Sequence, residues 1–264
     1  MTDYQAIFDK VEGTILSLGS QVLPAEQIRR SLDDYKRIEG KTFSDADYYR
    51  ILVDATFYSG FAAATVSDHL DSIHSHFADY GEVAGYEDAQ VDDICHDPEM
   101  IKNRAKVEAC VKNARVFVEI VRRFGSFGKY VESFGATSLE PADAFGNLLL
   151  LKEDLECRFT RMGSVTSYHF LTDIGMPVLK PDRVICRIFK RLGLIDTEEH
   201  RLKAVVQGRK FAEATRYPIR HVDVVFVVYG QKKSPWVGLA SGICLAKPHC
   251  SACGVREYCS FPAR

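Results

Sequence analysis

No apolar run in this 264-residue chain approaches the ~20 residues that a membrane-spanning helix requires, so no bilayer span is expected. The opening, MTDYQAIFDKVEG, has no basic stretch followed by an apolar one and does not read as a secretory signal. Internal repeats and low-complexity linkers are missing too. There is no Walker A loop, no GxGxxG and no GxSxG, which removes the sequence grounds for a nucleotide-phosphate loop or a serine-hydrolase elbow. The histidines His69, His74 and His76 cluster, but without the paired spacing of a helical metal site, and read as surface. What remains is an ordinary globular balance, 46% hydrophobic and 27% charged, long enough for one large domain or two small ones. Eight cysteines without a signal imply a reducing compartment.

The net charge of −2 conceals an asymmetry. Residues 1–100 carry 7 Lys and Arg against 20 Asp and Glu, a net of −13, whereas residues 101–264 carry 27 against 16, a net of +11. That is what a one-sided footprint for a nucleic acid looks like, and solvated surface charge is the plain alternative. The stretch 180–220 is the densest, with 11 Lys and Arg against 5 Asp and Glu. Arg183, Arg187, Lys190, Arg209, Lys210, Arg216 and Arg220 are its candidate phosphate contacts.

Hydrophobic periodicity is helical almost throughout. Residues 3–19 place Ile7, Val11 and Ile15 on one stripe, and residues 25–38 read as a second amphipathic helix. Ser44 and Asp45 can cap a helix carrying Tyr49, Leu52, Val53, Phe57 and Phe61. Residues 102–123 form the longest pattern, a short helix is expected between the glycines of RRFGSFGKYVESFG, and further helices are expected over 150–159, 166–174 and 183–193. The run VDVVFVVYG at 222–230 has strand propensity, but no partner strand is in view, which favours a buried helix.

Four cysteines close the chain: Cys244, Cys250, Cys253 and Cys259, spaced C-x5-C-x2-C-x5-C. The C-x2-C step lets two thiolates of one tight turn reach a common centre, and the outer pair closes it from either side. Four thiolates suit a tetrahedral zinc or a [4Fe–4S] cluster. One knuckle with two symmetric outliers fits the cubane better than the paired knuckles of zinc sites. Cys95, Cys110, Cys157 and Cys186 stand singly and read as small core side chains.

The second strong signal is FTRMGSVTSYHFLTDIGMPVLKPDRVICRIFKRLGL, residues 159–194. One helix ends, a short turn passes through Gly163, and another begins at once. The amides opening that second helix, together with its positive dipole end, make a phosphate site suited to a nucleic-acid backbone. Arg161, Met162, Gly163, Ser164, Val165 and Thr166 compose the turn. Nineteen residues after Gly163, in K-P-D-R, stands Asp182 at the start of a further helix. Here the chain resembles the helix–hairpin–helix DNA glycosylase superfamily. Its ending, CLAKPHCSACGVREYCSF, is similar to the cluster loop of the endonuclease III and MutY branch, one residue shorter in its first gap. The segments DADYYRILVDATFYSGFAAATV and LKEDLECRFTRMGSVTSYHF are similar to stretches of bacterial 3-methyladenine glycosylases, so the resemblance spans roughly residues 45–264.

That resemblance implies an all-α fold of two lobes, a helical barrel over residues 44–177 and a cluster domain built from 1–43 with 178–264, with the substrate groove between them. It implies a monomeric, cytoplasmic, nucleoid-associated enzyme that binds double-stranded DNA, needs no membrane, and carries a [4Fe–4S] cluster, or alternatively one zinc ion. Asp182 takes the position of the catalytic carboxylate. The Schiff-base lysine of bifunctional relatives would fall at Ser164 or Val165, neither of which can form an imine, so strand cutting is not expected. Tyr58 falls where the family places the wedge that fills the gap left by a flipped base, with Phe57 and Tyr48 as candidate pocket walls. The base-reading glutamate of 3-methyladenine enzymes is matched by Ala55, and the nearest carboxylate is Asp54. The expected activity is excision of a damaged base, an alkylated purine first. The alternatives are a glycosylase for an enzymatically modified base, such as a phage hypermodification, and a non-catalytic DNA-structure-binding module.

Overall fold

The computed structural model describes residues 2–37, 41–61, 63–136 and 143–261. Helix α1 (Tyr4–Gly19) buries Ile7, Phe8, Val11 and Ile15 at intervals of one, three and four, and Asp3 accepts the Ala6 N–H at its start. Helix α2 (Ala25–Asp33) does not run on to 38; it tightens into a 3₁₀ turn over Asp34–Arg37, and Ile38 lies outside the described residues. Helix α3 (Asp45–Tyr58) opens on a capping box in which the Ser44 and Asp47 side chains each satisfy the other's backbone N–H. Four short helices follow, α4 (Ala63–Ser67), α5 (Leu70–His76), α6 (Tyr80–Ala84) and α7 (Asp88–His96). Helix α8 (Arg104–Phe124) is the longest, capped by Asn103 and stopped by Gly125 at φ 86°. Then come α9 (Phe127–Glu132), α10 (Asp143–Arg158), α11 (Thr166–Asp173), α12 (Arg183–Arg191), α13 (Arg201–Thr215) and α14 (Ile219–Gly230).

The β-branched run of 222–230 is indeed helical. Pro218 starts α14, and in a segment buried on nearly every face the intrahelical ladder satisfies backbone groups that a lone strand would leave unpaired. Among the described residues there is no strand, only a single bridge between Ser234 and Leu239. No helix among them is long and apolar enough to cross a membrane.

The chain divides into two compact units, Met1–Gly40 with Pro177–Arg264, and Lys41–Met176. In the first, α1, α12, α13 and α14 close on Phe8, Phe189, Phe211 and Phe226, whose rings meet edge-on or tilted, the Phe211–Phe226 centroids 4.8 Å apart. In the second, α3, α6, α8 and α9 surround Tyr49, Phe117 and Phe127, the last two stacked at 4.6 Å.

Within the first unit α1 ends against the turn after α14. A Cβ on Gly19 would stand 2.2 Å from the Val237 carbonyl oxygen, and one on Gly238, at φ 75°, would stand 2.6 Å from the Gly19 carbonyl oxygen. Gly19→Ala therefore forces backbone apart and should lower the unfolding free energy by about 1–3 kcal/mol. Urea unfolding of the two proteins measures it, and a difference of a few tenths would contradict the close packing.

Candidate active site and DNA-contact elements

In the second unit, the turn from α10 to α11 is held from behind. Asn113 of α8, fully buried, donates to the Thr160 carbonyl (3.1 Å) and accepts its N–H (2.7 Å). Arg161 Nε donates to the Ala105 carbonyl at 3.1 Å. The left-handed residue of the turn is Arg161, at φ 62°. Gly163 keeps an ordinary backbone, and a Cβ there would meet nothing within 4 Å, so what it supplies is open room beside the main chain. Gly163 and Ser164 are exposed, whereas Met162 turns into the core and Thr166 is buried with its hydroxyl 3.1 Å from Ser59 Oγ. Helix α11 starts at Val165 with no side-chain cap and no acid in its first turn, an end suited to an anion.

The end of α3 lies beside that turn. Tyr58 is half-buried; its hydroxyl is 3.1 Å from Ser67 Oγ and its ring meets His169 edge-on. Phe57 is fully buried against Phe77, and Tyr48 packs between Phe43 and Phe127. Lys106 of α8, also buried, donates to the carbonyls of Thr56 and Ser59, the latter at 2.6 Å, and so caps the C-terminus of α3. Burial, with Arg161 nearby, pulls its amine from 10.5 down to about 8.

Asp54 lies 2.7 Å from His74 Nε2 on α5, and burial pushes its carboxyl up against the opposing pull of that partner. His76 pairs likewise with Asp97 at 2.7 Å. His69, His74 and His76 are all half-buried, which corrects the surface reading of this cluster. Nothing in the local sequence marks these pairs, because each joins residues some twenty positions apart.

In the first unit, Asp182 caps α12. Its Oδ1 accepts the N–H groups of Val184 (2.8 Å) and Ile185 (3.0 Å), and among the described residues nothing bonds to Oδ2. A carboxylate held by one oxygen and open at the other is oriented without being used up. Of the basic residues proposed for phosphate, Arg183, Lys190, Lys210 and Arg216 are exposed. Arg187, Arg209 and Arg220 correct the expectation. Arg187 donates to the carbonyls of Cys244 and Gly230, Arg209 to that of Pro177, and Arg220 pairs with Asp223.

The four-cysteine segment has two 3₁₀ turns, Cys250–Ala252 and Arg256–Tyr258, and is fastened to α12 and α14. Arg191 donates to Cys244 Sγ (3.2 Å) and to the carbonyls of Leu245 and Ala246, and Tyr229 Oη donates to Cys253 Sγ (3.1 Å). Cys244 is buried and the other three are partly exposed, and none of the four is in a disulfide. Among the described residues no three His, Cys, Asp or Glu side chains stand together as a metal-ion ligand set. The donor chemistry nevertheless suits a thiolate-held centre, since two of the sulfurs receive donors that would stabilise negative charge. Of the single cysteines, Cys110 and Cys186 are buried, Cys95 is half-buried, and Cys157 is exposed, which corrects its assignment to the core.

A family model described as methyladenine glycosylase matches residues 39–182. Among solved structures, Tm1821, the 8-oxoguanine DNA glycosylase of Thermotoga maritima, is 16% identical with a TM-score of 0.52, covering 84% of this chain and 96% of that one. The Methanocaldococcus jannaschii 8-oxoguanine glycosylase/lyase, in complex with a 15mer DNA containing 8-oxoguanine, is 18% identical with a TM-score of 0.51, covering 82% and 95%. These two share the fold. The 3-methyladenine DNA glycosylase I (TAG) of Staphylococcus aureus is 22% identical with a TM-score of 0.46, covering 55% of this chain and 84% of that one.

Lys106 yields a test. Its amine binds a proton less readily in the fold (about 8) than at its ordinary value (10.5), so between those pH values the unfolded chain holds more protons and stability rises with pH. The stability of the wild type relative to Lys106→Met should therefore climb from pH 8 to 10.5 in denaturant unfolding. A flat difference would mean that the buried amine is not strained.

Proposed function

The chain belongs to the methyladenine glycosylase family, and on that premise we propose that it is a monofunctional enzyme for alkylated purines in duplex DNA. It is a base-excision DNA glycosylase acting on damaged bases. Such an enzyme must expose the C1′–N bond of a stacked base, which requires flipping the nucleotide out of the helix. In our reading the uncapped start of α11 and the open room at Gly163 take a DNA phosphate, and Tyr58 fills the gap in the stack.

Cleavage builds oxocarbenium-like charge on the sugar. Asp182, fixed through Oδ1 with Oδ2 open, is the carboxylate we assign to stabilise that charge and to take a proton from the attacking water. This half-free cap carries the proposal. A purine alkylated on a ring nitrogen is already cationic and leaves without a further proton, so a single carboxylate suffices. Ser164 and Val165 offer no amine for an imine, and the product is an intact strand with an abasic site.

One observation favours a second substrate class. Ala55, almost fully buried, leaves the expected base-reading position without a carboxylate, and its neighbour Asp54 is already engaged by His74. A base modified by an enzyme, with a different hydrogen-bonding edge, is the alternative substrate. For the cysteines we propose a [4Fe–4S] cluster held by Cys244, Cys250, Cys253 and Cys259, with zinc as the alternative. Its role would be to organise a segment that has little core of its own.

Asp182→Asn keeps a side chain that caps helices well while losing the charge. It should bind methylated duplex as the wild type does and lose base release by about 100-fold or more. With the wild type, strand breaks should appear only after alkali; breaks without alkali would overturn the monofunctional assignment, and full release by the variant would overturn the role of Asp182. Metal analysis of the purified protein should give about four irons per chain, and one zinc with no iron would replace the cluster by the alternative.

A further inference from the structure

Helix α14 carries a second carboxylate that the reaction as described does not use. Asp223 is 2% exposed on a helix whose other buried residues are mostly Val, Ile and Phe, with His221 and Tyr229 among them. A buried charge costs several kcal/mol unless it is paired and hydrogen-bonded. Here both oxygens are engaged: Oδ1 accepts the Lys180 N–H at 3.0 Å and Oδ2 accepts Arg220 Nη1 at 2.8 Å. Arg220 lies over the ring of Tyr35, 5.6 Å from its centroid, and Tyr35 in turn packs on Trp236.

Lys180 is held from its other side as well, because its carbonyl accepts the N–H of Asp182 at 2.8 Å. Between them Pro181 fixes φ. The three residues Lys180–Asp182 are thus pinned at the first N–H by Asp223, stiffened in the middle, and tied at the end to α12. Burial, then the negative charge of Asp182, push the Asp223 carboxyl up, while Arg220 and Lys180 pull it down; these are the charged groups that bear on it. An apolar residue would fill the space at less cost, so the retained charge has its explanation in what it holds.

We propose that Asp223, braced by Arg220, is a positioning residue for Asp182: it fixes the Lys180–Asp182 turn so that the open oxygen of Asp182 stands at one defined place. This rests on the reading that Asp182 is the catalytic carboxylate. Asp223→Asn keeps an acceptor for the Lys180 N–H but removes the ion pair, and Asp223→Ala removes both.

The test measures single-turnover base release from dimethyl-sulfate-treated duplex, alongside duplex affinity, with the emission of the sole tryptophan, Trp236, reporting the fold. Release should fall roughly 10-fold in Asp223→Asn and roughly 100-fold in Asp223→Ala, as for a reacting group misplaced by about 1 Å, with affinity unchanged. In an Asp182→Asn background Asp223→Asn should cost nothing further, because a positioning residue has nothing left to position. Arg220→Lys, which keeps the charge and loses the fork, should show the same non-additive loss and serves if the Asp223 variants do not fold. Wild-type release in Asp223→Asn and Arg220→Lys, with Asp182→Asn dead, overturns this proposal alone. A further loss in the Asp182→Asn background, with falling affinity, overturns it in favour of a general structural role. Full release by Asp182→Asn itself overturns the catalytic reading and this inference with it.

Discussion

The first unit depends on how one short helix is held at its two ends. The N-terminus of α12 is closed by Asp182, and its C-terminal half carries Arg187 and Arg191, which reach the backbone and one sulfur of the four-cysteine segment. Helix α12 therefore transmits position along a rigid rod of nine residues. The carboxylate at one end cannot drift without disturbing the arginine bonds at the other, and the cysteine segment, poor in apolar side chains, takes its shape from the same rod. The Tyr229 carbonyl, which receives the N–H groups of both Ile243 and Cys244, fixes the segment to α14 as well.

The second unit solves a different problem with the same economy. Its hairpin turn and the end of α3 are irregular backbone, which is costly to leave unsatisfied. Helix α8 supplies what both lack: Asn113 pairs with Thr160, Lys106 caps Thr56 and Ser59, and the Ala105 carbonyl receives Arg161. One long helix thus sets two loops at once. Arg161, at φ 62°, stores local backbone strain of order 1–3 kcal/mol, and this bracing is what keeps it there.

Much of this was legible in the sequence, and the boundary is physical. Elements governed by neighbours along the chain could be read: the Ser44 cap, the period of α8, the Asp182 start of α12, and the compact spacing of the four cysteines. The hydrophobic run of α14 could be read once its lack of a partner strand was weighed. What could not be read were the bonds between distant positions, such as Asn113 with Thr160, His74 with Asp54, Arg187 with Cys244 and Asp223 with Lys180. A polar residue on a helix looks the same in sequence whether it faces water or a buried carbonyl. That is why three arginines taken for phosphate ligands prove to be internal fasteners.

The seating of the cysteine segment on α1 bears on how the molecule is made. Lys10 pairs with Glu257 at 2.7 Å, and Gly254 fits so closely over Lys10 and Thr14 that a Cβ would collide with the Thr14 hydroxyl. Residues near 10 and residues near 255 thus share one unit, while the other is a single continuous stretch. During synthesis the continuous stretch can close as soon as it has emerged, whereas α1 must wait exposed for partners made more than two hundred residues later. The turn between α10 and α11 can then close on the ribosome before the segment that caps and braces α12 has been made.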